Sequence, residues 1–132
     1  MVTHILALEK DLFFAVKMRD TLRHYQIEVQ TARTLAAFAQ GLAPRSEPKV
    51  ALVIVNTAIQ GVDWVEAIRQ AHASGYPVLA FGSHMDLDAR AQALAAGAQR
   101  VVANSKFTSD MPGLVQRMLS TPHTVSEDEA EE

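Results

Sequence analysis

Five short apolar runs, each followed by a segment with helical periodicity, constrain this chain more than any other feature. The runs are His4–Leu8, Ile27–Thr31, Val50–Val55, Pro77–Phe81 and Arg100–Ala103. Val50–Val55 is apolar without a break and rich in valine, which suits a strand covered on both faces. Ile27–Thr31 alternates apolar Ile27 and Val29 with polar Glu28 and Gln30, the pattern of a half-exposed edge strand. The segments between are Asp11–Tyr25, Thr34–Leu42, Asp63–Ala73, Asp86–Ala96 and, roughly, Ser109–Leu119. In the first of them Phe14, Met18, Leu22 and Tyr25 fall on one helical stripe. Asp11 and Asp63 stand where helix N-caps are expected. Gly41, Gly75 and Gly97 stand where helices stop. Pro112 falls in a first turn, where its missing N–H costs little. The stretch 43–49 carries two prolines and reads as a loop.

Strands alternating with helices imply a parallel sheet covered on both faces. Five such units in 132 residues predict a flavodoxin-like α/β fold, a doubly wound five-stranded parallel sheet of (βα)5 type with strand order 2-1-3-4-5. That order puts strands 1 and 3 at the centre and strand 2 at an edge, which agrees with the alternation in Ile27–Thr31. Residues 1–121 are expected to form the domain, and 122–132 an acidic, disordered tail.

Composition then removes whole classes of function. With no cysteine in the chain, disulfides, thiol nucleophiles and zinc–thiolate centres are excluded. No two of His4, His24, His72, His84 and His123 stand three or four residues apart, so no helical pair of metal ligands exists and no metal is expected. The net charge is −3, yet five of the fifteen acids lie in Ser126–Glu132, and the remaining ten face twelve bases, a body near +2. Such a balance speaks against a nucleic-acid surface. No apolar run approaches the roughly 20 residues of a membrane span, and Met1–Leu8 does not read as a signal peptide, so the expected location is cytoplasmic.

A sheet of this kind binds ligands beyond the carboxyl ends of its strands, at the switch point between strands 1 and 3. The residues falling there are Glu9, Lys10, Asp11, Asn56, Thr57, Gly82, Ser83 and Asn104. Here a family likeness emerges. ILALEKDLFFAVKMRDTLRHYQIEVQTA (5–32), VALVIVNTAIQGVDWVEAIRQ (50–70), PVLAFG (77–82) and ALAAGAQRVVANS (93–105) together resemble a response-regulator receiver domain across nearly the whole chain before the tail. Ala95-Ala96-Gly97-Ala98 is the most specific piece.

The resemblance implies a phosphorylation pocket, and this chain keeps its pattern at Glu9 and departs from it elsewhere. The acidic pair that would hold Mg²⁺ falls on Glu9 and Lys10, and the phosphoacceptor aspartate on Asn56. The hydroxyl switch residue falls on Gly82, with Ser83 one place late. The lysine falls on Asn104, with Lys106 two places late, and the aromatic partner of the switch falls on Val101. An amide at 56 cannot attack phosphorus as a carboxylate does. A cation at 10 stands where Mg²⁺ needs a hard oxygen ligand. Asn104 lacks the charge that would stabilise an acyl phosphate. Losing the acid and the lysine together avoids an unpaired buried charge. Glu9 and Lys10 are then expected to pair locally or to face solvent.

Other readings of the same residues are plainer. Asn56 also suits a loop turn. Ser83 and His84 are adjacent and lack an acid partner, which argues against a catalytic pair, and Trp64 reads as a partly buried helix residue. The loop Glu9–Leu12 is acidic and without glycine, and no G-x-G-x-x-G or P-loop pattern occurs, so flavin and nucleotide cofactors are not expected.

Two surfaces are candidates for a partner. Phe13 and Val16 fall off the core stripe of the first helix and Leu12 lies at its entrance, beside the degenerate pocket, and an exposed apolar patch often marks an interface. The face of the fourth helix, fifth strand and fifth helix, which receiver domains commonly use for dimerisation, would carry Arg90, Arg100, Val101 and Lys106. The expected function is a non-phosphorylatable, non-enzymatic signalling module of bacterial type acting through protein–protein contact, with no catalytic residue. The alternatives are a small-ligand sensor using the crevice and a regulator phosphorylated at a non-standard position.

Overall fold

A computed structural model describes residues 2–43 and 49–120; most of the predicted loop at 43–49 and the acidic tail lie outside the described residues. Within them the chain runs β1 (Thr3–Leu8), α1 (Leu12–Arg23), β2 (Ile27–Ala32), α2 (Leu35–Leu42), β3 (Val50–Asn56) and α3 (Trp64–Ala73). It continues through β4 (Val78–Gly82), α4 (Leu87–Ala96), β5 (Arg100–Ala103), α5 (Asn104–Ser109) and α6 (Met111–Ser120). All strand pairings are parallel, and the sheet order is β2-β1-β3-β4-β5, the doubly wound order predicted from the pattern.

Side chains on successive strand residues point to opposite faces, and the core divides accordingly. Leu6, Leu8, Val53 and Val55 meet Phe38, Leu42, Ala67, Ile68 and Ala93 from α2, α3 and α4. Ile5, Ala7, Leu52 and Ile54 meet Met18, Leu22, Phe107, Leu114 and Val115 from α1, α5 and α6. Both faces of β1 and β3 are thus covered over Ile5–Leu8 and Leu52–Val55, which is why that part of β3 carries no alternation.

The helix starts follow the sequence. The carboxylate of Asp11 accepts the N–H groups of Phe13 and Phe14, Thr34 that of Ala37, Asp63 that of Glu66, and Asp86 that of Ala89. Each satisfies donors that a helix N-terminus leaves open. Gly75 and Gly97 take positive φ, 88° and 121°, just past α3 and α4.

Two expectations need correction. The first helix stops at Arg23, not Tyr25; Gln26 adopts φ 63° to turn the chain into β2, and Tyr25 is left exposed outside the core stripe. The last expected helix, roughly Ser109–Leu119, is α6 at Met111–Ser120, but an unexpected short helix, α5, precedes it; the two part at Asp110, whose N–H bonds to the Lys106 carbonyl and whose own carbonyl accepts from Leu114. Pro112 explains the break, because it has no N–H to continue an i→i−4 ladder from α5 into α6.

Candidate functional site

The crevice at the carboxyl ends of the strands is built from four chain segments. Glu9 follows β1, Asn56 is the last residue of β3, Gly82 the last of β4, and Asn104 follows β5 directly. Their convergence is set by strand register, since Asn56 lies opposite Phe81, and Gly82 opposite Ala103.

Glu9 is 2% exposed, the deepest charge in the site. Its carboxylate is enclosed by donors. The Asn56 Nδ2 amide donates to Oε1 at 2.9 Å and to Oε2 at 3.1 Å. The backbone N–H groups of Lys10 and Asp11 donate to Oε2 at 2.9 and 3.1 Å. Asn56 Oδ1 in turn accepts the Ala58 N–H at 2.8 Å, so both ends of the amide are engaged and its orientation is fixed by its neighbours. A buried carboxylate is tolerated when hydrogen bonds replace its lost water, and here the amide and two backbone groups supply them. Glu9 therefore does not follow the expectation of local pairing or solvent exposure. Lys10 is exposed and turns outward, where its Nζ donates to the Gln60 carbonyl at 3.1 Å. The Asn56 turn is the loop role expected for that residue, combined with the contact to Glu9 that chain position could not show.

A crevice of about 140 Å³ remains above this pair, lined by Glu9, Asp11, Phe14, Asn56, Phe81 and Asn104. Asn104 is exposed at the start of α5, and Lys106 is half-buried on that helix. Beneath lie three aromatic rings. Phe81 and Phe107 stack with centroids 4.2 Å apart and planes 7° apart, and Phe14 tilts against them at 5.6 and 6.1 Å. Sequence reading passed over this cluster. Its signal was the lone apolar Phe107 in a polar stretch, and that residue anchors α5.

A second, larger cleft of about 220 Å³ opens on the other side of the β3 end, toward α4. Thr57, Gly82, His84, Leu87, Arg90 and Val101 are among its walls. Arg90 reaches across it, its guanidinium donating to the Val101 carbonyl at 3.2 Å. Val101 itself is buried. Ser83 and His84 are both exposed, and the Ser83 hydroxyl accepts the Met85 N–H at 3.2 Å, a local turn. Among the described residues no group of three or more His, Asp or Glu converges as a metal site.

Of the candidate partner residues, Phe13 is 90% exposed, Leu12 57% and Val16 43%, a patch on α1 beside Glu9 and Lys10. Arg100 is a correction. It is buried although it opens β5, the edge strand, where it pairs with Leu79 of β4. Arg90 and Lys106 remain partly accessible.

Comparison with known proteins gives one consistent answer about architecture. No family model matches the sequence, and a search of curated proteins finds no match. Among solved structures, a CheY-like receiver-domain protein from Methanospirillum hungatei JF-1 superposes with TM-score 0.77 at 17% identity, covering all of both chains. A response regulator from Thermotoga maritima gives 0.76 at 15% identity, covering 92% of this chain and all of the other. A Burkholderia pseudomallei response regulator, solved with a phosphorylated aspartic acid, calcium ion and citrate, gives 0.77 at 16%, covering 98% and 72%. The chain thus has the fold of response-regulator receiver domains. Within that fold, Asn56 ends β3 and faces Glu9 across the crevice.

Proposed function

We propose that this chain is a receiver-like signalling module that does not accept phosphate and acts by binding another protein. The observation that carries the proposal is the Asn56–Glu9 pair. An acyl phosphate needs a carboxylate nucleophile, and the side chain at the end of β3 is an amide. A bridging divalent cation needs free carboxylate oxygens. Both oxygens of Glu9 already accept N–H donors, and the Asn56 amide nitrogen lies against both of them. The cation of Lys10 is held outside the crevice by Gln60, and the exposed Asn104 brings no charge.

With its polar groups satisfied, the crevice is a structural element, and binding falls to the surface. The apolar patch of Leu12, Phe13 and Val16 is the surface proposed for a signalling partner, with Lys10 and Lys17 beside it. The face carrying α4, β5, α5 and α6 is proposed for self-association, with Arg90 and Lys106 but without Arg100. No helix among the described residues is long and apolar enough to cross a membrane, and the proposed setting is the bacterial cytoplasm.

Incubation with acetyl phosphate and Mg²⁺, followed by intact-mass measurement, tests the proposal. The expected spectrum shows the unmodified chain alone. A stoichiometric phosphoryl adduct overturns it, and mapping that adduct would support phosphorylation at a non-standard position. A second reading, small-ligand sensing, is favoured by the cleft of about 220 Å³. It predicts saturable thermal stabilisation of about 2.7 kcal/mol at a ligand concentration 100-fold above Kd.

A further inference from the structure

Adjacent residues at the end of β3 face the two crevices. Asn56 lines the smaller one with Glu9, and Thr57 lines the larger one with Gly82 and Val101. Thr57 is fastened to β4 twice through a single atom. Its N–H donates to the Phe81 carbonyl at 2.9 Å and its hydroxyl donates to the same oxygen at 3.3 Å. That hydroxyl fills the place of the side chain missing at position 82, since a Cβ built on Gly82 would overlap Thr57 Oγ1. The threonine is short and β-branched, with few rotamers available and no long arm to swing aside. Gly82 does not have positive φ. Backbone conformation therefore does not call for glycine at this position, whereas the neighbouring threonine does.

We infer that Thr57 and Gly82 are a matched steric pair that pins the β3–α3 segment to the end of β4, locking the Glu9–Asn56 crevice and the α4 cleft into one arrangement. The inference deepens the proposed function and rests on its reading that the crevice is held in one state without phosphate. Phe81 supplies the shared anchor, with its carbonyl bound by Thr57 and its ring stacked on Phe107 under the crevice. A displacement of Thr57 would therefore disturb both sides of the strand end.

The test is a double-variant cycle read by thermal unfolding and backbone-amide relaxation dispersion. Overpacking predicts that Gly82→Ala alone lowers Tm by roughly 5–10 °C. In the Thr57→Ala background the same change is expected to cost less than about 3 °C, because the overlapping hydroxyl is gone. Thr57→Ala alone is expected to introduce μs–ms exchange at residues 57–60 and 82–85 that the parent chain lacks. Equal cost of Gly82→Ala in both backgrounds, or loop amides in Thr57→Ala as quiet as in the parent, overturns the pair. If Gly82→Ala alone does not fold, a folded double variant gives the same support and an unfolded one overturns it. Failure of the parent reading shows separately, as a phosphoryl adduct in the mass experiment, and leaves this coupling standing.

Discussion

Replacing Asn56 by aspartate restores the residue type that the receiver pattern expects, and here it should be harmful. The change puts a carboxylate oxygen where Nδ2 now donates to Glu9 Oε1 at 2.9 Å and Oε2 at 3.1 Å. The hydrogen bond that Nδ2 shares between the two oxygens of a buried carboxylate disappears, worth about 1.5–3 kcal/mol. Two like charges about 4 Å apart repel by roughly 4 kcal/mol at an effective dielectric near 20. The pair limits this cost by sharing a proton, and the net destabilisation expected near neutral pH is about 3–5 kcal/mol.

A shared proton means that the folded variant binds more protons than its unfolded chain. Its stability must then fall as pH rises through the window above the ordinary carboxylate range, and the deficit should shrink as pH drops toward about 4. Divalent cations should recover part of the loss, because the variant offers two carboxylates and the parent offers one already satisfied. Urea unfolding of both proteins between about pH 4.5 and pH 8, with and without millimolar Mg²⁺ or Ca²⁺, measures all three effects. A variant as stable as the parent across that range would refute the reasoning, since Asn56 would then not be what stabilises the buried Glu9.

Further outcomes follow from the same geometry. Phe13→Asp should change unfolding free energy by less than about 0.5 kcal/mol, because the ring is 90% exposed; its effect should appear as lost partner binding in a pull-down against the parent chain. Phe107→Ala should cost about 3–5 kcal/mol, since it removes a fully buried ring stacked on Phe81, and protection from amide exchange should be lost first in α5. Lys10→Met should shift stability by under about 1 kcal/mol by denaturant titration, because its hydrogen bond to Gln60 is exposed.

The parts of this structure legible in the sequence are those governed by local pattern. Strand order followed from the alternation of runs, and the edge position of β2 from Glu28 and Gln30. The caps at Asp11 and Asp63 followed from residue type. What escaped was set by tertiary contact. Tyr25 continues the helical stripe on paper, yet the turn at Gln26 takes it out of the core. Arg100 reads as a surface charge, yet it is buried at the start of β5. α5 has no apolar periodicity, only Phe107 held by two other rings. At the site, the residue types at 9, 56 and 104 could be read directly. The bond between Glu9 and Asn56 spans 47 positions and depends on two strands ending side by side. Thr57 stood among the crevice residues without a role, because its meaning depends on what Gly82 lacks.

The central claim is that the crevice is closed by its own residues, Glu9 and Asn56. The most direct measurement is an NMR titration of the parent chain with Mg²⁺ that follows the Asn56 side-chain NH₂ and the backbone amides of Lys10 and Asp11. These signals should stay in place at millimolar metal, while in Asn56→Asp the two backbone amides should shift and saturate. Saturable shifts of the Asn56, Lys10 and Asp11 signals in the parent chain would contradict it, for the carboxylate would then be free to take a cation.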